Sequence, residues 1–318
     1  MAHLKAVKPK SGLPIHEEPQ HSYTLPSRLY LDESIYEQEK QKIFYCNWHY
    51  AGHLSQLNKP GDYLTATVAD ENIFIVRGQD DTLRGFYNVC RHRAAPVVRE
   101  EAGNASEFQC FYHLWTYGLD GACTGITKPS GYDAVQLDRS KLGLISVRCD
   151  IIAGLVFVCL SPETESLEDY IGPIIDAVHE PLSTAPLKVF HYNKAELGAN
   201  WKLWQDNNSE RYHSLLHFIN RKTQPWVIAK TSPMKLRLFD NGHSGYWSDG
   251  EATVTYEAAG YKDASVGTLP GMRDNEMRVI NIFPDLMINI RANVVRLDRM
   301  VPIAPGKTLV EWRGLGLA

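Results

Sequence analysis

Two short segments hold the residues best suited to bind a metal. The first is Cys90-Arg91-His92, followed seventeen residues later by Cys110-Phe111-Tyr112-His113. Each half offers one thiolate and one imidazole, so one turn can aim both side chains at the same site. A Cys2His2 zinc site uses these four donors, but it usually groups the cysteines as one pair and the histidines as another. Mixed halves suit a two-iron cluster whose irons differ, one held by two thiolates and one by two imidazoles, and histidine in place of cysteine raises the reduction potential. The second segment runs from Asn207 through Glu210, Tyr212 and His213 to His217. On a helix, Glu210, His213 and His217 fall within roughly 60° of arc, with Asn207 on the adjoining edge. A histidine pair at i,i+4 presents two ring nitrogens to one ion; on its own, the same spacing also fits surface or hydrogen-bonded histidines.

The elements that must position these residues are mostly strands. Residues 32–44 open with an acidic cap and place Ile35, Tyr36, Ile43 and Phe44 near helical spacing. From Gly61 the pattern shortens to β-like runs at 63–68 and 72–77, a turn at 78–81, a run at 83–89, and an Asp120-Gly121 hairpin signal after 115–119. The longest apolar run, 151–160, has the length of one buried strand. Helical texture follows at 167–178, despite a Gly-Pro interruption, and at about 201–218; strands return at 277–283, 286–290, 294–301 and 309–312. The fold class is therefore α+β. Residues 1–44 are expected to form an arm and a helix packing on the last unit, 45–160 an all-β domain, and 161–318 an α+β domain with an antiparallel sheet.

Composition narrows the function. The chain has 318 residues, 44% hydrophobic and 22% charged, with a formal net charge of −4. That excludes wholesale disorder and a disulfide-stapled miniprotein, and it argues against non-specific nucleic-acid binding. No run approaches ~18 apolar residues, so no helical membrane span is expected. The first twenty residues lack the apolar core of a signal peptide. Six scattered cysteines read as reduced thiols of a cytoplasmic protein.

With both segments in view, the sequence resembles the Rieske non-haem iron oxygenases, specifically the α subunits that hydroxylate aromatic rings. The resemblance rests on Asn88-Val-Cys-Arg-His-Arg-Ala94, on Cys110-Phe-Tyr-His-Leu-Trp-Thr-Tyr-Gly-Leu-Asp-Gly121, and on Asn207, Glu210, Tyr212, His213 and His217; it runs from about Tyr30 onward. It implies a Rieske [2Fe–2S] domain with Cys90, His92, Cys110 and His113 as ligands, then a helix-grip-like catalytic domain. There His213 and His217 would be two legs of a 2-His-1-carboxylate site for Fe(II). Glu210 resembles the carboxylate that bridges a cluster histidine, here His113, to His213 across neighbouring subunits of a trimer; Asn207 matches the start of that motif. Leu114 departs from the family, which commonly has glycine there. Respiratory Rieske proteins add a second cysteine to each loop, and residues 93–95 and 111–112 supply none.

The resemblance also implies electrons from NAD(P)H through a reductase, with or without a ferredoxin, and a homotrimer or an α3β3 assembly with a small β subunit. The expected reaction is O2-dependent hydroxylation of a small aromatic acid. The alternatives are N- or O-dealkylation of a non-aromatic substrate, or a pure electron-transfer protein with a degenerate second domain. The third iron ligand should be a carboxylate. Asp240, Asp249, Asp263, Asp274, Asp285, Asp298, Glu251, Glu257, Glu276 and Glu311 were all available after His217. Asp285 reads as turn polarity and Asp298 as a solvent-facing strand residue, so the expectation is a C-terminally incomplete chain with that ligand beyond Ala318. Trp115 and Tyr117 shield the cluster or simply pack a hairpin. Arg91, Arg93 and Arg99 form a docking patch for an acidic ferredoxin or a solvated surface. Cys46, Cys123, Cys149 and Cys159 read as buried thiols, and His49, His53, His179, His191 and His243 as ordinary polar residues. Leu215, Leu216, Phe218 and Trp226 line an apolar pocket or pack a helix.

Overall fold

Strands dominate the computed structural model of the chain, which describes residues 25–132, 137–209, 235–247, 267–273, 276–291 and 293–317. Two short helices come first, α1 (Arg28–Leu31) and α2 (Glu33–Glu39), the second continuing into a π-helical turn over Lys40–Phe44. The acidic cap is present: the Asp32 carboxylate accepts the Ser34 N–H at 2.8 Å, satisfying a donor that the first helical turn leaves open.

The strands of the N-terminal half are β1 (Trp48–His53), β2 (Asp62–Val68), β3 (Glu71–Arg77), β4 (Leu83–Tyr87), β5 (Ala102–Asn104), β6 (Phe108–Gln109), β7 (Thr116–Tyr117), β8 (Cys123–Gly125), β9 (Ser146–Ile152) and β10 (Leu155–Cys159). One antiparallel sheet has the order β1-β10-β9-β4-β3-β2-β5, and β6-β7-β8 form a small second sheet. Period-two alternation sets the first sheet's faces: in β2, Leu64, Ala66 and Val68 are buried while Tyr63, Thr65 and Thr67 are half-buried. The apolar run 151–160 is not one strand. It folds back as a hairpin between β9 and β10, with Leu155 paired to Ile152 across Ala153 and Gly154. Both turn residues have positive φ, 50° and 77°, the requirement of a tight two-residue turn.

The C-terminal half contains α3 (Leu167–Ile171), α4 (His179–Ser183), β11 (Leu187–Leu197), α5 (Trp201–Asn208), β12 (Lys235–Leu238), β13 (Ser244–Trp247), β14 (Met277–Ile282), β15 (Leu286–Arg291), β16 (Val294–Ala304) and β17 (Lys307–Leu317). Gly172-Pro173 divides the expected 167–178 helix, because proline supplies no N–H and Gly172 takes a φ of 58°. The antiparallel sheet order is β11-β17-β16-β15-β14-β13-β12. Its first face packs Ile280, Ile288, Ile290 and Leu297 against Trp48, Tyr50 and Phe157 of the first sheet and Leu167 of α3, so one apolar core joins the two halves. Each such side chain contributes about 1.5–3 kcal/mol on burial.

Two carboxylates do not sit as expected. Asp285 lies in a turn but is only 2% exposed. It contacts His49 Nδ1 at 3.1 Å and Arg299 Nε at 3.1 Å, and accepts the Tyr50 N–H at 3.3 Å, tying β1 to the second sheet. Burial pushes its carboxyl pKa up, yet the cationic partners outweigh this and hold it below the usual range. Asp298 is not solvent-facing: it is fully buried on the sheet's second face, which α5 covers. His49, His53 and His243 are buried polar residues. Among the described residues no helix is long and apolar enough to cross a membrane.

Candidate metal centres

Two loops with the same backbone plan hold the first constellation. In one, Cys90 N–H donates to Ala95 O at 2.8 Å and Ala94 N–H to Cys90 O at 3.0 Å; in the other, Cys110 N–H donates to Trp115 O at 2.8 Å and Leu114 N–H to Cys110 O at 2.9 Å. The fifth residue of each loop turns left-handed, Ala94 at φ 58° and Leu114 at φ 59°. This explains why glycine is favoured after the second histidine: leucine adopts αL only at a cost of roughly 1–2 kcal/mol. Asn88 braces the first loop, accepting the N–H groups of Val97 and Val98 at 2.9 and 2.8 Å and donating to Val98 O at 2.7 Å. The expected strand 83–89 stops at Tyr87, and 115–119 shortens to Thr116–Tyr117, where these loops begin and end.

The loops separate the two kinds of donor. Cys90 and Cys110 are 3% and 2% exposed and pack in the cluster of Phe74, Phe86 and Phe108. The thiols contact each other, and burial raises the Cys110 pKa while the N–H groups of Tyr112 and His113 pull it down. The His92 and His113 rings lie at the rim, edge to face with centroids 4.6 Å apart. Burial, then the neighbouring His113 and Arg93, lowers the His92 pKa. Trp115 stacks on His92 at 4.9 Å and 11°, and Tyr117 Oη lies 3.2 Å from Cys90 Sγ, so both aromatics lie against the candidate ligands. The Trp115 indole N–H is buried with no partner among the described residues, a donor left over for an acceptor. A cleft of about 550 Å³ opens beside the rings, lined by His92, His113, Trp115 and Tyr132. Tyr132, missed in the sequence, reaches within 3.4 Å of His92 Nε2.

This donor set fits a [2Fe–2S] cluster with unlike irons, with sulfur donors at the base and imidazoles at the rim. Among the described residues no three His, Cys, Asp or Glu side chains group closely enough for a single ion. Arg91, Arg93 and Arg99 are exposed around the loops, with the Arg99 guanidinium over the Phe111 ring at 4.8 Å. Cys46 is exposed, not buried, because it sits at the end of the π-turn with Sγ donating to Gln41 O; Cys123 and Cys159 are buried and Cys149 half-buried.

The second constellation begins on α5. Its Asn200 cap accepts the Lys202 N–H at 3.0 Å and donates to Pro305 O at 2.7 Å. Trp201 Nε1 donates to Glu39 at 2.9 Å, and Gln205 donates to Pro284 O at 2.8 Å, fixing the helix axis to α2 and to the β14–β15 turn. Asn207 is exposed in the last turn of α5 and lines a cavity of about 280 Å³ with Trp204 and Val310. Glu210, Tyr212, His213 and His217 lie outside the described residues, as do Leu215, Leu216, Phe218 and Trp226. Among the carboxylates considered as a third ligand, Asp285, Asp298, Glu276 and Glu311 each face a guanidinium.

Residues 47–137 match the family described as Rieske [2Fe-2S] domain, and 185–315 match the ring hydroxylating alpha subunit (catalytic domain). The chain is 38% identical to the α subunit of 2-aminobenzenesulfonate 2,3-dioxygenase from Alcaligenes sp. over 93% of its own length and 75% of that protein's. It belongs to the Rieske oxygenase α subunits. The methanesulfonate monooxygenase hydroxylase α subunit of Methylosulfonomonas methylovora is 33% identical over 92% of this chain and 72% of that protein. In fold, this Rieske oxygenase matches a crystal structure of a quaternary ammonium Rieske monooxygenase with an inhibitor, with TM-score 0.77 and 25% identity over 92% of this chain and 75% of that one. Rieske oxygenases are mono- or dioxygenases that carry a [2Fe–2S] cluster and a non-haem iron, take electrons from a reductase or ferredoxin, and assemble as multimers.

Proposed function

We propose that this Rieske oxygenase hydroxylates a small organic acid, with Cys90, His92, Cys110 and His113 holding the cluster and His213 and His217 holding the iron. The observation that carries the ligand reading is the matched pair of loops, which puts two thiols together in the core and two imidazoles together at the rim. When bound, the cluster supplies single electrons and the mononuclear iron supplies the site of O2 activation. The chain's own contributions are distinct. Tyr117 Oη lies against Cys90 Sγ, Trp115 holds the His92 ring plane, and Asn200, Trp201 and Gln205 fix α5, which precedes His213 and His217 in sequence. Glu210 is assigned the bridge between His113 of one subunit and His213 of the next, in a homotrimer or an α3β3 assembly. A carboxylate there fixes the tautomers of both imidazoles. The cytoplasm suits the free thiols.

The relatives' names support this substrate class: 2-aminobenzenesulfonate, methanesulfonate, terephthalate, carnitine and glycine betaine. Each of these molecules bears a sulfonate or a carboxylate. An aromatic acid remains the leading reading, supported by the 2-aminobenzenesulfonate relative; the methanesulfonate and carnitine relatives support a non-aromatic acid as the second. The test is turnover with NADH and a reductase against aromatic and aliphatic sulfonates and carboxylates under ¹⁸O2. Labelled product from an acid is expected. A cluster that reduces normally while no acid is oxidised would favour the electron-transfer reading.

A further inference from the structure

The second face of the catalytic sheet is polar where a packed face should be apolar. Ile288 and Ile290 of β15 and Val295 and Leu297 of β16 point into the shared core, so Met287, Asn289, Arg291, Arg296 and Asp298 point the other way. Asp298 pairs across the sheet with Trp312, whose ring meets Trp204 of α5 at 6.2 Å. This is therefore the face under the helix that leads into His213 and His217.

Two acceptors on this face are buried without a hydrogen bond. Asn281 is 3% exposed, and its Oδ1 has no partner. Asp298 is 0% exposed; Arg296 Nη2 donates to its Oδ2 at 2.9 Å, while Nε stands 2.9 Å from Oδ1 without hydrogen-bond geometry, leaving that oxygen unsatisfied. They flank Met287 on adjacent strands, about 10 Å apart at two strand spacings. The cation beside them is open: the Arg296 side chain is 47% exposed while its carboxylate partner is fully buried. A buried ion pair is weak evidence for stability, since an apolar pair of similar volume often serves as well. Buried unpaired acceptors call for a donor that the described residues do not supply.

We infer that Arg296 and Asn281 form the head-group site for the substrate, with the Arg296 guanidinium, steadied by Asp298, taking a sulfonate or carboxylate and Asn281 accepting from an amino or hydroxyl group on the same molecule. Planar bidentate geometry suits arginine to these anions. Acceptors held in place reject an analogue that lacks the donor, because they then remain unpaired. This inference rests on the organic-acid reading and sharpens it to acids that also carry a hydrogen-bond donor.

The experiment is calorimetric binding of 2-aminobenzenesulfonate, 2-aminobenzoate, benzenesulfonate and aniline to the metal-loaded protein, with the cluster spectrum followed throughout. The wild type should favour the amino acids over both benzenesulfonate and aniline by about tenfold or more. Arg296→Gln should weaken the anions about tenfold and leave aniline unchanged, with Arg296→Lys in between. Asn281→Leu should erase the preference for 2-aminobenzenesulfonate over benzenesulfonate. Anion binding unaltered in Arg296→Gln, or an equal loss for aniline, would overturn the site while leaving the organic-acid reading intact. Aniline binding as tightly as every acid in the wild type would overturn that reading, and this inference with it.

Discussion

Tyr117 Oη accepts the Arg91 N–H at 3.0 Å and stands 3.2 Å from Cys90 Sγ, so its own hydrogen is free to point at the sulfur. A hydrogen bond to a cluster sulfur stabilises the reduced, more negative state and raises the potential. Tyr117→Phe should lower the cluster potential by on the order of tens of millivolts. Redox titration of the purified protein measures this, and an unchanged potential would remove Tyr117 from the tuning.

Leu114 offers a gain in stability. Its side chain is 49% exposed and its φ is 59°, so it costs backbone strain and contributes little packing. Leu114→Gly should stabilise the folded state by about 1 kcal/mol, after allowing for the greater freedom of glycine in the unfolded chain. Thermal unfolding of the metal-loaded protein is the check; a lower midpoint would mean that the leucine contacts matter more than the strain.

Asp285 holds His49 and Arg299 together between the two sheets. Removing it leaves the buried Arg299 guanidinium with Glu311 alone, at 3.5 Å, so Asp285→Ala should destabilise by about 3 kcal/mol. Replacing Arg299 in the same chain should cost less than the sum of the two single changes. Denaturant unfolding of the two single variants and the double variant tests this coupling.

Acid should destabilise the fold through buried imidazoles. Burial lowers His53 and His243 from 6.5 to about 4, and His243 is locked neutral by donating to Tyr170 O and accepting from Phe283 N–H. Between pH 6.5 and 4 the unfolded chain binds protons that the fold refuses, so each imidazole costs up to about 3 kcal/mol as pH falls through that window. Asp298 acts oppositely: burial raises it from 3.8 to about 6, so its share of stability is lost as pH rises. At pH near 5 these three groups should give a net uptake of about one proton on unfolding. His243→Gln should flatten the slope of stability against pH, and a slope unchanged from wild type would count against the neutral assignment.

The sequence made the ligand loops readable because chemistry constrains them: two thiols and two imidazoles at short, mixed spacings admit few uses. It concealed that the loops are equivalent, because His92 is the third residue of one and His113 the fourth of the other. Nor did it show that Asp285 and Asp298 are buried. Alternation tells which residues share a sheet face, but not whether a distant helix covers it, and both faces of β15 and β16 are covered. The 151–160 run misled for a related reason, since apolar residues continue through a turn whose only sign is Ala153-Gly154. Tyr132 gave no signal, because it reaches His92 from a separate loop.

One chain is proposed to carry both metals on two separate ligand sets. The most direct test is iron and acid-labile sulfide analysis, with the visible spectrum, of the wild type beside His213→Ala/His217→Ala. About three irons and about two sulfides are expected per wild-type chain, with the variant losing about one iron and keeping the cluster spectrum. Zinc without labile sulfide, or an unchanged iron content in the variant, would contradict that assignment.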